Sequence, residues 1–392
     1  MISMRIQWGA ILAAPWQTPR PGGTSPKDDT PRMRSTPARP DSTSHLGPSS
    51  MLQSEPWERF QTDLGRTTHR LHGPGWDALV VEERSRAGRI WYAPYGPVLQ
   101  HPAALPDALE ALREAARAES VGWLRVEPQL PAPAQTPFGD AVQRQNATAA
   151  SLVALLRAHG ARPAPRDIQP AHTRWVDLTR PPEAILKAMT GTNRNLWRRH
   201  RDKGLTLSSS SHPSAADTVI ELLHRTAGRK GFTAQTSEYL RTAARSLGPP
   251  GNCTAYLSSV DGTVVSALLT YDSPTTRIFA HSGMDAAVRK LRPNQPLIAQ
   301  ALLDAAAQGQ SVGDLFGIAP LSRPDHPWTG FSAFKRSFGG ADVALGGTWD
   351  VPVGRARYAA YRGMRRARDG AVQLRARART AVSEARGSRA SN

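Results

Sequence analysis

The chain has one cysteine, Cys253, in 392 residues, so no intrachain disulfide can form. No Cys/His cluster has metal-ligand spacing, and no metal site is expected. No apolar run approaches the roughly 18 residues that cross a bilayer. The first residues, Met1-Ile-Ser-Met-Arg-Ile-Gln, lead into an apolar core that is short, broken by Gln7 and followed by no cleavage site, so secretion is not expected. A reducing cytoplasm suits such a chain. G-x-S-x-G, P-loop and H-E-x-x-H patterns are absent. No heptad pattern persists for three repeats, which excludes a coiled-coil arm. Acid is scarce: 32 Asp and Glu stand against 50 Lys and Arg, a formal net charge of +18. That excess points to a polyanionic partner, whether nucleic acid, an anionic membrane or a phosphorylated substrate.

The hydrophobic fraction, 39%, is low, and part of the deficit sits at the two ends. Residues 1–50 hold 8 Pro and 12 Ser or Thr with no hydrophobic period. That composition cannot build a core, and a disordered tail is expected. Met51 opens the first patterned segment, so these residues also read as an over-extended translation start. Residues 355–392 carry 11 Arg against Asp369 and Glu384, half the charge of the chain. Arg-Ala repeats favour helix, but few large apolar residues are present to dock it. A solvated basic helix or tail and a polyanion-contacting one are both open.

Between the ends the pattern is duplicated. Ala78-Leu-Val-Val-Glu and Arg89-Ile-Trp-Tyr-Ala read as a hairpin; a helix from about Leu105 to Glu119 and a strand at Val121-Gly-Trp-Leu-Arg-Val-Glu follow. Thr254-Ala-Tyr-Leu-Ser-Ser-Val, the turn Asp261-Gly262, Thr263-Val-Val-Ser-Ala-Leu-Leu-Thr-Tyr and a strand near 277–282 read as the second such set. A helix from Asn294, as N-cap, to about Gln308 and a strand from Ser311 complete it. Three helices, at about 183–189, 192–203 and 215–230, are expected between the sets. The expected fold is α+β, with related units at 51–170 and 171–354.

Two local features are candidates for chemistry. His326-Pro-Trp-Thr-Gly-Phe-Ser-Ala-Phe-Lys-Arg-Ser-Phe-Gly-Gly340 places Phe331, Phe334 and Phe338 at i, i+3, i+7, one face of a short helix closed by two glycines. Lys335 follows Phe334 and is expected to point away from that face. An ammonium beside an aromatic wall suits a polar substrate; a surface lysine on a helix packed by its phenylalanines is the plainer alternative. In the 192–203 helix, Arg194, Arg198 and Arg201 fall on one stripe flanked by Trp197, suited to bidentate phosphate binding or simply a solvated face. His281 is the one histidine expected at a strand end near such a site.

The tandem halves resemble GNAT acyltransferase units. Coenzyme A binding in such units needs a glycine-rich turn before the second-half helix, and Arg289-Lys-Leu-Arg-Pro-Asn294 has no glycine, so no coenzyme A is expected. A more specific likeness runs from about residue 51 to 350. Leu52-Gln-Ser-Glu-Pro-Trp57, Tyr92-Ala-Pro-Tyr-Gly-Pro-Val98, Arg125-Val-Glu-Pro128, Gln169-Pro170 through Asp177-Leu178, Arg194-Asn-Leu with Lys203-Gly204, Asp314-Leu-Phe-Gly317, and Phe334-Lys335 with Phe338-Gly339-Gly340 follow in order. In order and spacing they resemble the motifs of the FemABX aminoacyltransferases, which extend the interpeptide bridge of peptidoglycan.

The resemblance implies two GNAT-like subdomains in tandem and transfer of an amino acid from aminoacyl-tRNA to the stem-peptide amine of a precursor, lipid II or UDP-MurNAc-pentapeptide. Carried over by motif, Lys335 is the catalytic candidate and Phe334 shapes the site. Arg194 and Arg198, with Trp197 beside them, take the precursor's diphosphate, and Tyr92 contacts the precursor. The family's arginine in Y-x-P-R-G-P-V is Tyr95 here, and a usual tyrosine of the second-half central strand is Phe279. These departures bear on precursor binding and amino-acid choice. The basic ends are expected to attract tRNA or the anionic inner face of the membrane. A FemAB-like enzyme acting on another amine, on polysaccharide or protein, and a non-catalytic RNA-binding protein are the alternatives.

Overall fold

The computed structural model describes residues 50–85, 88–130 and 136–371; the expected tail up to residue 49 and the end of the basic tail, 372–392, lie outside them. Among the described residues there are two seven-stranded sheets. The first runs β1 (Thr68–Gly73), β2 (Trp76–Ser85), β3 (Gly88–Ala93), β5 (Trp123–Val126), β14 (Trp349–Pro352) and β6 (Arg162–Pro163), with β4 (Val98–Leu99) beside β2. The second runs β13 (Ala341–Ala344), β7 (His172–Asp177), β12 (Val312–Gly317), β11 (Thr276–Met284), β10 (Thr263–Asp272), β9 (Cys253–Val260) and β8 (Leu205–Ser210).

The duplication expected from the hydrophobic pattern is present. Antiparallel β2–β3 leads through helix α2 (Leu105–Ala118) to β5, parallel to β3; antiparallel β10–β11 leads through α8 (Asn294–Ala307) to β12, parallel to β11. A parallel return needs a crossover, and in both halves an amphipathic helix supplies it. Helix α2 buries Leu105, Ala108, Leu109, Leu112 and Ala116, at helical spacing, against the first sheet. Helix α8 buries Leu297, Ile298, Ala301, Leu302 and Ala305 against the second. Asn294 is the first helical residue and not the cap; Pro293 precedes it, and the Asn294 side chain instead accepts from the Ser266 hydroxyl.

The halves do not divide cleanly. After α3 (Phe138–Ala158) the chain supplies β7 to the second sheet, antiparallel to β12; near its end it returns to supply β14 to the first, antiparallel to β5. The expected unit 171–354 therefore contains a strand of the other sheet, because β5 has an edge that only 349–352 fills. The opening segment crosses too. Helix α1 (Glu55–Asp63), capped by the Ser54 hydroxyl, sets Trp57 edge-on to Tyr271 at 5.6 Å and Phe60 edge-on to Tyr239 of α7 (Ser237–Leu247) at 5.0 Å.

A single buried carboxylate ties these crossings. Glu127 accepts from the Tyr92 hydroxyl at 2.9 Å, the Tyr95 N–H at 3.1 Å, the Gln169 N–H at 2.9 Å and the Thr348 hydroxyl at 2.5 Å. Its donors come from β3, the turn after it, the segment before β7 and the segment before β14.

Two of the helices fall differently from expectation. Helix α3 has no sequence counterpart above, because its buried face mixes Gln145 and Thr148 with Ala149, Leu152 and Leu156. The helix expected at 192–203 is α5 (Gly191–Arg198) followed by a separate 3-10 turn at Arg201–Lys203, closed by Gly204 at φ 71°. The remaining helices are α4 (Pro182–Ala188), α6 (Ala215–Lys230), α9 (Thr329–Arg336) and a helical segment at 355–371.

Glu127→Gln keeps the size of the side chain but turns an amide NH2 toward donors. We expect a loss of about 2 kcal/mol or more in unfolding free energy, read from the urea midpoint. An unchanged midpoint would show that the carboxylate does not hold the crossings.

Candidate active site

The site lies where the second sheet comes apart. Strands β11 and β12 pair in parallel only from Thr276↔Val312 to Ile278↔Asp314. Beyond that register β11 continues as far as Met284 while β12 bulges, with Phe316 at φ 64°, a left-handed conformation costly for a bulky side chain. The gap between the diverging strands is a cavity of about 540 Å³. Phe279 to Met284 of β11 form one wall and Leu315 to Gly317 of β12 the other, and α9 with Trp328, Phe331, Phe334 and Phe338 closes it. Arg229 and Lys230, exposed at the end of α6, stand at its rim.

Helix α9 is fastened to the backbone leaving β12. The buried Ser332 hydroxyl accepts from the Ala319 N–H at 2.7 Å, and Arg336 donates to the Ala319 carbonyl at 2.7 Å. Arg336 and Arg174 also share the Asp342 carboxylate. The glycines that end the helix have a steric reason. Gly339 and Gly340 both have φ 83°, and a Cβ on Gly340 would lie 1.8 Å from the Trp175 carbonyl oxygen.

Lys335 does not point away from the phenylalanines. Phe331 and Lys335 are four residues apart and share a face; the ammonium sits 4.0 Å from the Phe331 ring centroid and donates to the Gly317 carbonyl at 2.8 Å. The residue is 8% exposed, so the surface-lysine alternative is corrected. Burial pulls its pKa down to about 7, opposed in part by the Asp314 carboxylate. Asp314, itself buried and shifted upward by burial, accepts from the Thr173 hydroxyl and the Phe316 N–H. An amine near half protonation at neutral pH can give or take a proton.

Of the residues singled out from sequence, the cavity brings together Lys335, Phe334, Phe279 and His281. His281 is buried, edge-on to Tyr271 at 5.9 Å, and burial holds its pKa down to about 4, so it is neutral at pH 7. The other four stand outside the cavity lining. Tyr92 is buried in the first sheet on Glu127 and Gln169. Arg194 donates to the carbonyls of Lys187 and Met189 at the end of α4; Trp197 donates to Gln300 at 3.0 Å; Arg198 is exposed. Helix α5 nevertheless meets the end of α9, since Asn193 donates to the Ser337 hydroxyl at 2.7 Å. Asp314, Phe316 and the Gly317 carbonyl had no assigned role in the sequence. The motif Asp314-Leu-Phe-Gly317 marked the place, but the bulge that turns its backbone toward Lys335 has no sequence signal.

The FemAB family model matches residues 44–248, and an acetyltransferase (GNAT) domain model matches 189–329. The chain belongs to the FemAB family, and is an acyltransferase of the peptidoglycan-bridge class. Among solved structures it resembles FemX, with a TM-score of 0.68 and 16% identity over 79% of this chain and 94% of that one. A tandem GNAT protein of the clavulanic acid pathway aligns at TM-score 0.45 and 16% identity, over 79% of this chain and 90% of its own. The C-terminal domain of a putative lysylphosphatidylglycerol synthetase from Agrobacterium fabrum aligns at 0.49 and 16%, over 77% and 88%. No curated protein sequence matches the chain significantly.

The depressed pKa of Lys335 has a measurable consequence. The unfolded lysine holds its proton up to about 10.5, the folded one only up to about 7. Between those values the unfolded state binds more protons, so this group makes stability rise with pH, by about 1.4 kcal/mol per unit at most. Below about 7 the cost of the buried ammonium is fully present. Lys335→Met should flatten the stability–pH curve between pH 7 and 10.5. Parallel curves for wild type and variant would show that Lys335 is not a titrating buried amine.

Proposed function

We propose that the protein transfers an amino acid from aminoacyl-tRNA to the stem-peptide amine of a peptidoglycan precursor, in the cytoplasm where charged tRNA is made. The observation that carries this reading is Lys335, a buried amine against Phe331 at the wall of the cavity between the splayed strands, in a chain of the FemAB family. The precursor amine attacks the ester carbonyl; the C–N bond forms, the ester C–O bond breaks, the amine loses a proton and the ribose oxygen gains one. An ester carries a leaving group good enough that alignment and oxyanion stabilisation are the main demands on the site. The Lys335 ammonium has three donors. One is on the Gly317 carbonyl, and a remaining one serves the developing oxyanion and then the departing oxygen. Phe334 and Phe279 shape the apolar wall that excludes water from the ester.

An aminoacyl ester, and not coenzyme A, is the donor in this reading. The place for a pyrophosphate in a GNAT unit is the N-terminus of α8. Here Pro293 and Pro296 lack N–H groups, and the Gln295 N–H donates to the Arg292 carbonyl at 3.2 Å. The turn before it, Arg289–Leu291, contributes positive charge but no glycine cradle.

The test is to incubate the protein with purified precursor and a mixture of charged tRNAs and to weigh the precursor. Gain of one or more residue masses is expected, with acetyl-coenzyme A giving none. Lys335→Ala should lower kcat by about a hundredfold or more while the fold is retained. No gain with any native precursor, or acetylation in place of it, would sink the reading.

A further inference from the structure

A second concavity lies on the first sheet's side of the molecule, formed by residues unconnected with the cavity at Lys335. It is a groove of about 780 Å³, between the outer face of α2 and the helical segment at 355–371. Six arginines line it: Arg113 and Arg117 from α2, Arg162 from β6, and Arg355, Arg362 and Arg366 from the C-terminal segment. Glu110 is the only acidic residue of the lining.

The C-terminal segment is not a loose basic tail over this stretch. Tyr358 is buried with Ile90 and Trp123, and Tyr361 stacks on Trp123 with ring centroids 4.3 Å apart. The Tyr361 hydroxyl accepts from buried Arg125 at 3.0 Å. These contacts fix the rotation of the helix. Residues 355, 359, 362 and 366 then face the groove along roughly 16 Å of helix axis, with Ala359 and Gly363 as its small-residue floor. Some of the arginines are held in place by neutral backbone: Arg113 donates to the His159 carbonyl at 2.5 Å and Arg362 to that of Pro163 at 3.5 Å. Such bonds position a guanidinium without neutralising it; Glu110 alone offsets charge here, pairing with Arg113 at 3.5 Å and Arg117 at 3.3 Å, one carboxylate against six guanidiniums. The result is a recessed channel with fixed positive charge on both walls.

We infer that this groove binds the phosphate backbone of RNA and is a docking site for the body of the tRNA, away from the site where its aminoacyl end reacts. The identity of the RNA rests on the proposed function; the phosphate chemistry of the groove does not. Two walls of guanidiniums across a recessed floor suit a strand of phosphates, which forks of N–H donors grip bidentately. A bilayer is met by a convex or flat surface with protruding apolar side chains. On the 355–371 segment the only exposed large hydrophobic residue is Met364.

The experiment measures binding of uncharged tRNA by the full-length protein across a salt series. Arg362→Ala/Arg366→Ala should weaken binding about tenfold or more and reduce the slope of log K against log salt by about 2, with circular dichroism and melting temperature unchanged. Arg225→Ala/Arg241→Ala, which removes the same charge from α6 and α7, should leave both nearly as in wild type, and so should Lys335→Ala. Equal loss in the two double variants would show only bulk charge and overturn the inference. So would unaltered tRNA binding in the groove variant, including the case where it instead loses phosphatidylglycerol vesicles. A wild-type protein that makes no product from charged tRNA, yet binds tRNA through Arg362 and Arg366, would sink the proposed function and leave the groove standing.

Discussion

The molecule is organised around one buried carboxylate. Glu127 is taken out of water, and only a full set of donors offsets that cost. Two of those donors sit where the chain passes between its halves, Gln169 before β7 and Thr348 before β14, and the other two, Tyr92 and Tyr95 around the end of β3, come from the first half. Thr348 also accepts from the Ile168 N–H, so the two crossing segments hold each other as well as the carboxylate. Because β7 completes the second sheet and β14 the first, fixing these segments fixes the sheets relative to one another. The motif tyrosine Tyr92 does its visible work here.

Everything at the candidate cavity follows from how the second sheet is built at its centre. The parallel pair β11–β12 starts in register and then parts, and the bulge at Phe316 gives β12 a different course. That bulge presents the Gly317 carbonyl, which takes the Lys335 ammonium, and helix α9 is held against it by Ser332 and Arg336. An amine so placed loses solvation and gains only a carbonyl, a ring face and a carboxylate itself shifted upward, so its proton is held weakly. The strained backbone and the perturbed amine are adjacent, as is common where structure is committed to chemistry.

Basic charge, conspicuous in the composition, is divided by the fold into separate surfaces. The Arg194–Arg201 region lies on and after α5, with Arg194 turned onto the backbone of α4. Arg229 and Lys230 stand at the rim of the cavity. The arginines of α2 and of the C-terminal segment meet across a groove although more than 200 residues separate them in sequence. The sequence marked the C-terminal arginines as basic and left open whether they were solvated. The tyrosines that dock them, Tyr358 and Tyr361, were too few to stand out among the Arg-Ala repeats.

Hydrophobic periodicity by itself determined the duplicated hairpin–helix–strand plan, because a buried face at period 2 or 3.6 needs only local information. The order of the motifs determined the family for the same reason: spacing along a chain survives without knowledge of contacts. Helix α3 escaped because Gln145 and Thr148 occupy its buried face, so burial there is not a matter of apolarity. The exchange of β7 and β14 escaped because strand partners far apart in sequence are chosen by which sheet edge is open. Lys335 was legible as a candidate but not as a buried amine. Its spacing from Phe331 was present in the chain, while its carbonyl partner depends on a bulge, and its low pKa on how much protein surrounds it. Desolvation is a property of the packed volume, and only the tertiary structure supplies that.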